Sequence, residues 1–176
     1  MSDDYFILDR MESATGWSAL STDTTTVAIS TASARGTNCV SFAKVNGAAN
    51  TIFGGISRTI DVNNMDDHHF YPNAIIAWHL SVTATTNIAY SFLRLGSTAA
   101  NYAEWRYDDS SLTAGKFTLC AARLGDCYVG GTGCDFDNMD YMAVGCAFDA
   151  ETDALAAILV DHIYLDSASV VVNYTG

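Results

Sequence analysis

This 176-residue chain is short of positive charge: 8 Lys and Arg stand against 20 Asp and Glu, giving a formal net charge of −12. Binding to phosphate backbones or to anionic lipid surfaces needs Lys and Arg to neutralise negative charge, so neither nucleic acid nor membrane is expected as a partner. Proline is reduced to Pro72. No stretch approaches the roughly 20 apolar residues of a membrane-spanning helix, and no segment keeps a helical period. The segment Met1 to Leu8 has neither a basic n-region nor a long apolar run, so no signal peptide is expected and the chain reads as made in a cytosol. The five cysteines, Cys39, Cys120, Cys127, Cys134 and Cys146, contain no Cys-x-x-Cys pair. They read as small hydrophobes kept reduced. A Cys127–Cys134 disulfide and a zinc site, which needs four convergent N or S ligands, are the alternatives.

Catalytic signatures are missing as well. There is no Gly-x-Ser-x-Gly elbow, and Gly130-Gly131-Thr132-Gly133 lacks the Lys-Ser/Thr ending of a phosphate loop. Asp66-Asp67-His68-His69 is the densest polar cluster. Adjacent side chains of an extended segment point to opposite faces, so the two imidazoles suit a solvated loop better than one metal. Acids are too abundant for any one pair to be singled out for glycoside cleavage. No enzymatic activity is expected.

What is present is β-structure. Roughly half the residues are apolar, in short β-branched and aromatic runs separated by Gly, Asn, Asp and Ser. Strands are expected at Tyr5–Leu8, Thr25–Thr31, Thr37–Lys44, Thr51–Asp61, Ala74–Thr85, Ile88–Leu95, Tyr102–Tyr107, Phe117–Ala121, Tyr141–Phe148, Ile158–Leu165 and Ser169–Val172. The clearest alternation sets Ile76, Trp78, Leu80 and Val82 against Ala77, His79, Ser81 and Thr83. Asn46-Gly47 suits a tight type I′ hairpin pairing Val40–Lys44 with the strand after it, and Asn87 marks a reversal. Leu124 to Asn138 reads as one long surface loop, and Asp149–Leu155 as a short helix or a loop. About ten short strands need two packed sheets or a closed barrel to remove their edges, and at this length the expected fold is all-β, one two-sheet antiparallel jelly-roll sandwich spanning residues 1–176.

Several segments resemble a known superfamily. Met11-Glu12-Ser13 with Gly16-Trp17, then Arg35 to Phe42, then Ile158 to Leu165 are similar to the opening, second and closing strands of galactose-binding-like, carbohydrate-binding-module jelly rolls. Leu95-Gly96-Ser97, Asn101 to Trp105 and Ser111 to Lys116 resemble a run in similar sandwich domains of bacterial and phage surface proteins. The resemblance implies a structural Ca²⁺ tying the first strand to the last, with Glu12, Gly36 and Asp161 at its ligand positions. Asp161 also stands out by itself, on a strand face shared with Leu159, Ile163 and Leu165, where a carboxylate must be paired, protonated or metal-bound. A position at a sheet edge in water, or pairing with Arg35 or Arg10, is the alternative. The resemblance also implies an aromatic sugar platform, for which Trp105, Tyr107 and Tyr102, together with Trp78, are the candidates, with core packing and scattered surface aromatics as the alternative. Trp105 and Tyr107 share a strand face, whereas Tyr102 and Trp105, three apart, do not.

Two functions fit this reading. The first expectation is a non-catalytic phage virion protein, a capsid decoration (cement) protein acting as a homo-oligomer on the particle. The apolar ends Tyr5–Leu8 and Val170–Val172 would pair there with other virion proteins. The alternative is a carbohydrate-binding module, or a tail or fibre adhesin, with a glycan as partner.

Overall fold

The computed structural model describes residues 5–63 and 74–166. Among the described residues twelve strands run in chain order: β1 (Tyr5–Asp9), β2 (Ser18–Ala19), β3 (Thr24–Ser30), β4 (Cys39–Lys44), β5 (Phe53–Asn63), β6 (Ile75–Val82), β7 (Ile88–Gly96), β8 (Tyr102–Asp108), β9 (Thr118–Arg123), β10 (Tyr128–Gly130), β11 (Asn138–Phe148) and β12 (Leu155–Asp166). They form two six-stranded antiparallel sheets. The first has the order β3-β4-β12-β6-β9 with β1 added to β12, and the second β10-β8-β7-β11-β5-β2. The chain is therefore an all-β sandwich. The expected strand at Ser169–Val172 and the Asp66-Asp67-His68-His69 cluster lie outside the described residues.

The core lies between the sheets and is made by the alternation of side chains along the strands. Ile76, Trp78, Leu80 and Val82 of β6 meet Leu93 and Leu95 of β7, Trp105 of β8 and Met142, Val144 and Cys146 of β11, all almost without exposure. The buried indoles find partners, as polar groups removed from water must. Trp78 Nε1 donates to Ser91 Oγ at 2.9 Å, and Ser91 Oγ donates on to the Gly145 carbonyl at 3.2 Å, which links the two sheets. Burial of Cys120 raises its thiol to about 12 and raises that of Cys146 as well. Both are thus protonated packing groups; all five cysteines are free.

Four local expectations are corrected. Asn46-Gly47 does not close a β4–β5 hairpin, because β4 pairs with β3 and β12 while β5 belongs to the other sheet. The connection is drawn across the sandwich by buried Asp23, whose carboxylate accepts from the amides of Ala49 at 2.9 Å and Thr51 at 3.3 Å. Positive φ falls at Asn50 instead, and at Asn87 as its reversal required. The Leu124–Asn138 loop contains β10, since Tyr128, Val129 and Gly130 pair with Glu104, Ala103 and Tyr102, and the missing side chain of Gly130 makes room for the Tyr102 ring. The N-terminal apolar strand does not wait for another subunit: Tyr5, Phe6 and Ile7 pair with Asp166, Leu165 and Tyr164 of β12. Finally, a bulge between Asp161 and Tyr164 breaks the β12 alternation, with His162 at φ 43°. Asp161 consequently faces outward opposite His79, whereas Ile163 and Leu165 turn to the core, so they do not share a face.

Truncating Leu80, fully buried at the sheet interface, is expected to cost about 2–5 kcal/mol through lost transfer energy and the cavity left behind. Urea unfolding of Leu80→Ala checks this, and a loss below about 1 kcal/mol would mean a core that collapses freely.

Candidate functional site

The outer face of the second sheet, turned away from the core, carries the unusual chemistry. On β8 the alternation that buries Ala103 and Trp105 sends Tyr102, Glu104, Arg106 and Asp108 outward; on β7 it sends out Tyr90, Phe92 and Arg94. Register then sets Tyr128 of β10 opposite Glu104, and Glu104 opposite Arg94. Beyond them, β11 and β5 offer small residues, with Ala143 facing Ser57 and Gly145 facing Gly55. A side chain at Gly55 would meet the Val144 carbonyl at 2.9 Å and crowd the Phe92 ring at 3.1 Å. Phe92 of β7 therefore lies against the bare backbone at Gly55, with the Phe53 ring of β5 edge-on beside it at 5.6 Å between centroids.

At the centre Glu104 is 2% exposed, a burial that a carboxylate tolerates only when paired. Its Oε2 accepts from Arg94 Nε and its Oε1 from Arg106 Nε, each at 2.6 Å. The Arg94 guanidinium is also enclosed by rings, lying 4.4 Å from the centroid of Phe53, 4.6 Å from Phe92 and 4.6 Å from Tyr102. Arg106 is held between Tyr90 at 4.4 Å and Tyr128 at 3.8 Å. Ring faces carry the negative lobe of the aromatic quadrupole, so both cations are stabilised where water is scarce. Burial pulls the Arg106 guanidinium down, but the hydrogen bond and charge of Glu104 outweigh it and leave its pKa raised. Burial, then the charge of Glu104, raises the Tyr90 phenol; burial raises that of Tyr141. Tyr90, Tyr102 and Tyr128 each present an apolar ring and a polar tip. Tyr128 is 55% exposed.

The sugar platform expected from the sequence is redistributed. Trp105 is fully buried, with Nε1 donating to the Leu124 carbonyl at 3.0 Å, and Tyr107 packs against the same core. Their shared strand face is the core face, so neither offers a ring to a ligand. With Trp78 also in the core, Tyr102 alone of the four lies on the outer face. Tyr90, Arg94, Glu104, Arg106 and Tyr128 were missed. Their signal was a charged residue at every second position of β8 beside aromatic-rich β7, but only strand register shows that the charges pair.

The residues expected to hold calcium do meet, around the Ala34–Asn38 loop. Asp161 Oδ2 accepts from the amides of Ala34 at 2.8 Å and Arg35 at 2.7 Å, so its contact with Arg35 is through the backbone and not the guanidinium. Glu12 accepts from the Thr37 amide at 3.0 Å, the Thr37 hydroxyl at 2.9 Å and the Asn38 amide at 3.1 Å. The Thr37 hydroxyl and then its amide hold the Glu12 carboxyl below the usual range. Gly36, at φ 76°, passes directly under Glu12, where any side chain would collide with the carboxylate. Asp161 Oδ1 is buried without a hydrogen-bond partner. An orphaned carboxylate oxygen beside a glycine turn fits an oxygen-bound cation. Among the described residues, no three His, Cys, Asp or Glu side chains converge as a metal cluster, so the remaining ligands would be backbone carbonyls.

Comparison with solved structures places this architecture. A family 11 carbohydrate-binding module from a cellulosomal cellulase of Clostridium thermocellum superimposes with a TM-score of 0.63 at 12% identity, covering 93% of this chain and 95% of that one. A family 11 module from Clostridium thermocellum in complex with a β-1,3-1,4-mixed-linked tetrasaccharide gives 0.61 at 13% identity, covering 93% and 96%. A family 30 carbohydrate-binding module from another Clostridium thermocellum cellulosomal cellulase gives 0.59 at 9% identity, covering 94% and 98%. The chain has the jelly-roll sandwich fold of these modules. No protein-family model matches the sequence, and no curated protein matches it.

Replacing Glu104 by Gln would leave Arg94, 6% exposed, without its counter-charge, and removing one partner of a buried pair costs about 3–5 kcal/mol. Denaturant titration of Glu104→Gln measures that loss. A variant as stable as the parent would show that the ring enclosure alone holds Arg94.

Proposed function

We propose that this domain is a non-catalytic carbohydrate-binding module, which uses the outer face of its second sheet to hold a glycan. The observation that carries the reading is the solvent edge of the Arg94–Glu104–Arg106 cluster, where Tyr90 and Tyr128 flank the Arg106 guanidinium that Glu104 holds in one orientation, and Tyr102 lies against Arg94. Sugar rings stack their C–H faces on aromatic rings and hydrogen-bond through their hydroxyls, so a site pairing exposed rings with fixed polar groups matches both. A neighbour of the same fold is described in complex with a mixed-linked tetrasaccharide. The same site would serve a tail or fibre adhesin. The capsid-decoration reading draws no support from these observations: one of its apolar strands pairs within the chain, and the other lies outside the described residues.

Affinity electrophoresis in gels containing mixed-linked β-glucan, xylan or pectin tests the proposal. Retention in one of them is expected, weakened roughly three- to tenfold by Tyr128→Ala with circular dichroism unchanged. A mobility indifferent to every polysaccharide would remove the reading.

A structural Ca²⁺ belongs to the same proposal, with Asp161 Oδ1 as a ligand and Glu12 fixing the loop that carries Gly36. Such an ion would supply charge to the orphaned oxygen and tie β12 to the segment after β1. Thermal melting in Ca²⁺ and in EDTA checks it: the chelator is expected to lower the melting temperature of the parent and leave Asp161→Asn unmoved. Superimposable parental curves would dismiss the ion.

A further inference from the structure

The site also bears on which sugar is bound. We infer that it selects a saccharide carrying a carboxylate, a uronic acid unit, with Arg106 as the residue that reads it; this rests on the glycan-binding reading above.

Two of the chain's eight basic residues lie side by side on this one face, in a molecule that is otherwise strongly acidic. Glu104 cannot answer both charges: its two oxygens are each engaged by one Nε, so the cluster keeps a net positive charge. Arg94 is closed off by rings, whereas the Arg106 side chain is 35% exposed. The excess charge therefore meets solvent at Arg106.

The Arg106 guanidinium is also oriented. With Nε fixed on Glu104 and the plane between Tyr90 and Tyr128, its conformational freedom is already removed before a ligand arrives. Among the described residues no acceptor hydrogen-bonds its terminal Nη nitrogens, so their N–H groups remain a fork lacking its carboxylate. A planar carboxylate matches such a fork with two parallel hydrogen bonds. The other carboxylate on this strand face, Asp108, is exposed at the strand end and its Oδ1 accepts from the amide and hydroxyl of Ser110. Beside Arg106 the exposed Tyr128 ring gives the sugar body a surface to stack on. Recognition would thus combine a ring contact shared by all sugars with a charge contact open only to acidic ones.

Calorimetric titration of the intact domain with a galacturonic-acid oligomer, a neutral oligomer of equal length and a sulfated one separates the possibilities. The uronate is expected to bind at least about tenfold more tightly than the neutral oligomer at low salt, with the gap narrowing in about 1 M NaCl as charge is screened. Arg106→Gln should abolish the gap, and Arg106→Lys, which keeps charge but not the fork, should restore only part of it. Tyr128→Ala should weaken both ligands together. Equal affinity for neutral and uronate oligomers would overturn the inference while leaving glycan binding intact, and a sulfated oligomer bound best would overturn the carboxylate assignment. No binding of any saccharide would overturn the glycan reading itself.

Discussion

Glu104 is almost wholly removed from water, and the outer face of the second sheet is arranged around giving each of its oxygens a guanidinium partner. Its two oxygens each take one Nε, so two strands and both guanidinium groups are committed to it. Desolvating three charges is expensive, and buried ion networks are rarely the cheapest source of stability. What the network does provide is orientation. Arg94 is locked deep among Phe53, Phe92 and Tyr102, and Arg106 is carried to the surface between Tyr90 and Tyr128. A flexible cation becomes a fixed one, which is what a binding site needs and a mere surface does not.

This arrangement depends on the bareness of the strands beyond it. Gly55, Gly145 and Ala143 lie beside β7, and Phe92 is fully buried on an outer face between the bare backbone at Gly55, the Phe53 ring and the Arg94 guanidinium. The second sheet thus has two packed faces, one against the first sheet and one under its own aromatic layer. The cross-sheet chain Trp78–Ser91–Gly145 joins the core to the underside of that layer. Elsewhere, Glu12 and Asp161 clamp the Ala34–Asn38 loop by accepting its amides, which ties the first, second and last parts of the chain together.

Much of this architecture was legible along the chain, because a strand's side-chain period of two is a local property. Ten of the expected strands are found, and the alternation around Trp78 identified the core face of β6 directly. Glu12, Gly36 and Asp161 were brought together by resemblance and do meet at one loop. Where expectations failed, a distant group had intervened. Buried Asp23 drew the Asn46-Gly47 turn from one sheet to the other, and pairing with β8 gave strand form to a glycine-rich segment that looks like loop by itself.

The aromatic platform shows the boundary most clearly. Sequence by itself determined that Tyr102 and Trp105 point to opposite sides, since residues three apart on a regular strand alternate faces. Which of those sides faces the core was decided only when the second sheet packed on the first, burying Trp105 and turning Tyr102, Glu104 and Arg106 outward. The pairing of Glu104 with Arg94, ten residues away on the neighbouring strand, follows from register. Register is a property of two strands and their turn, and no single stretch of residues contains it.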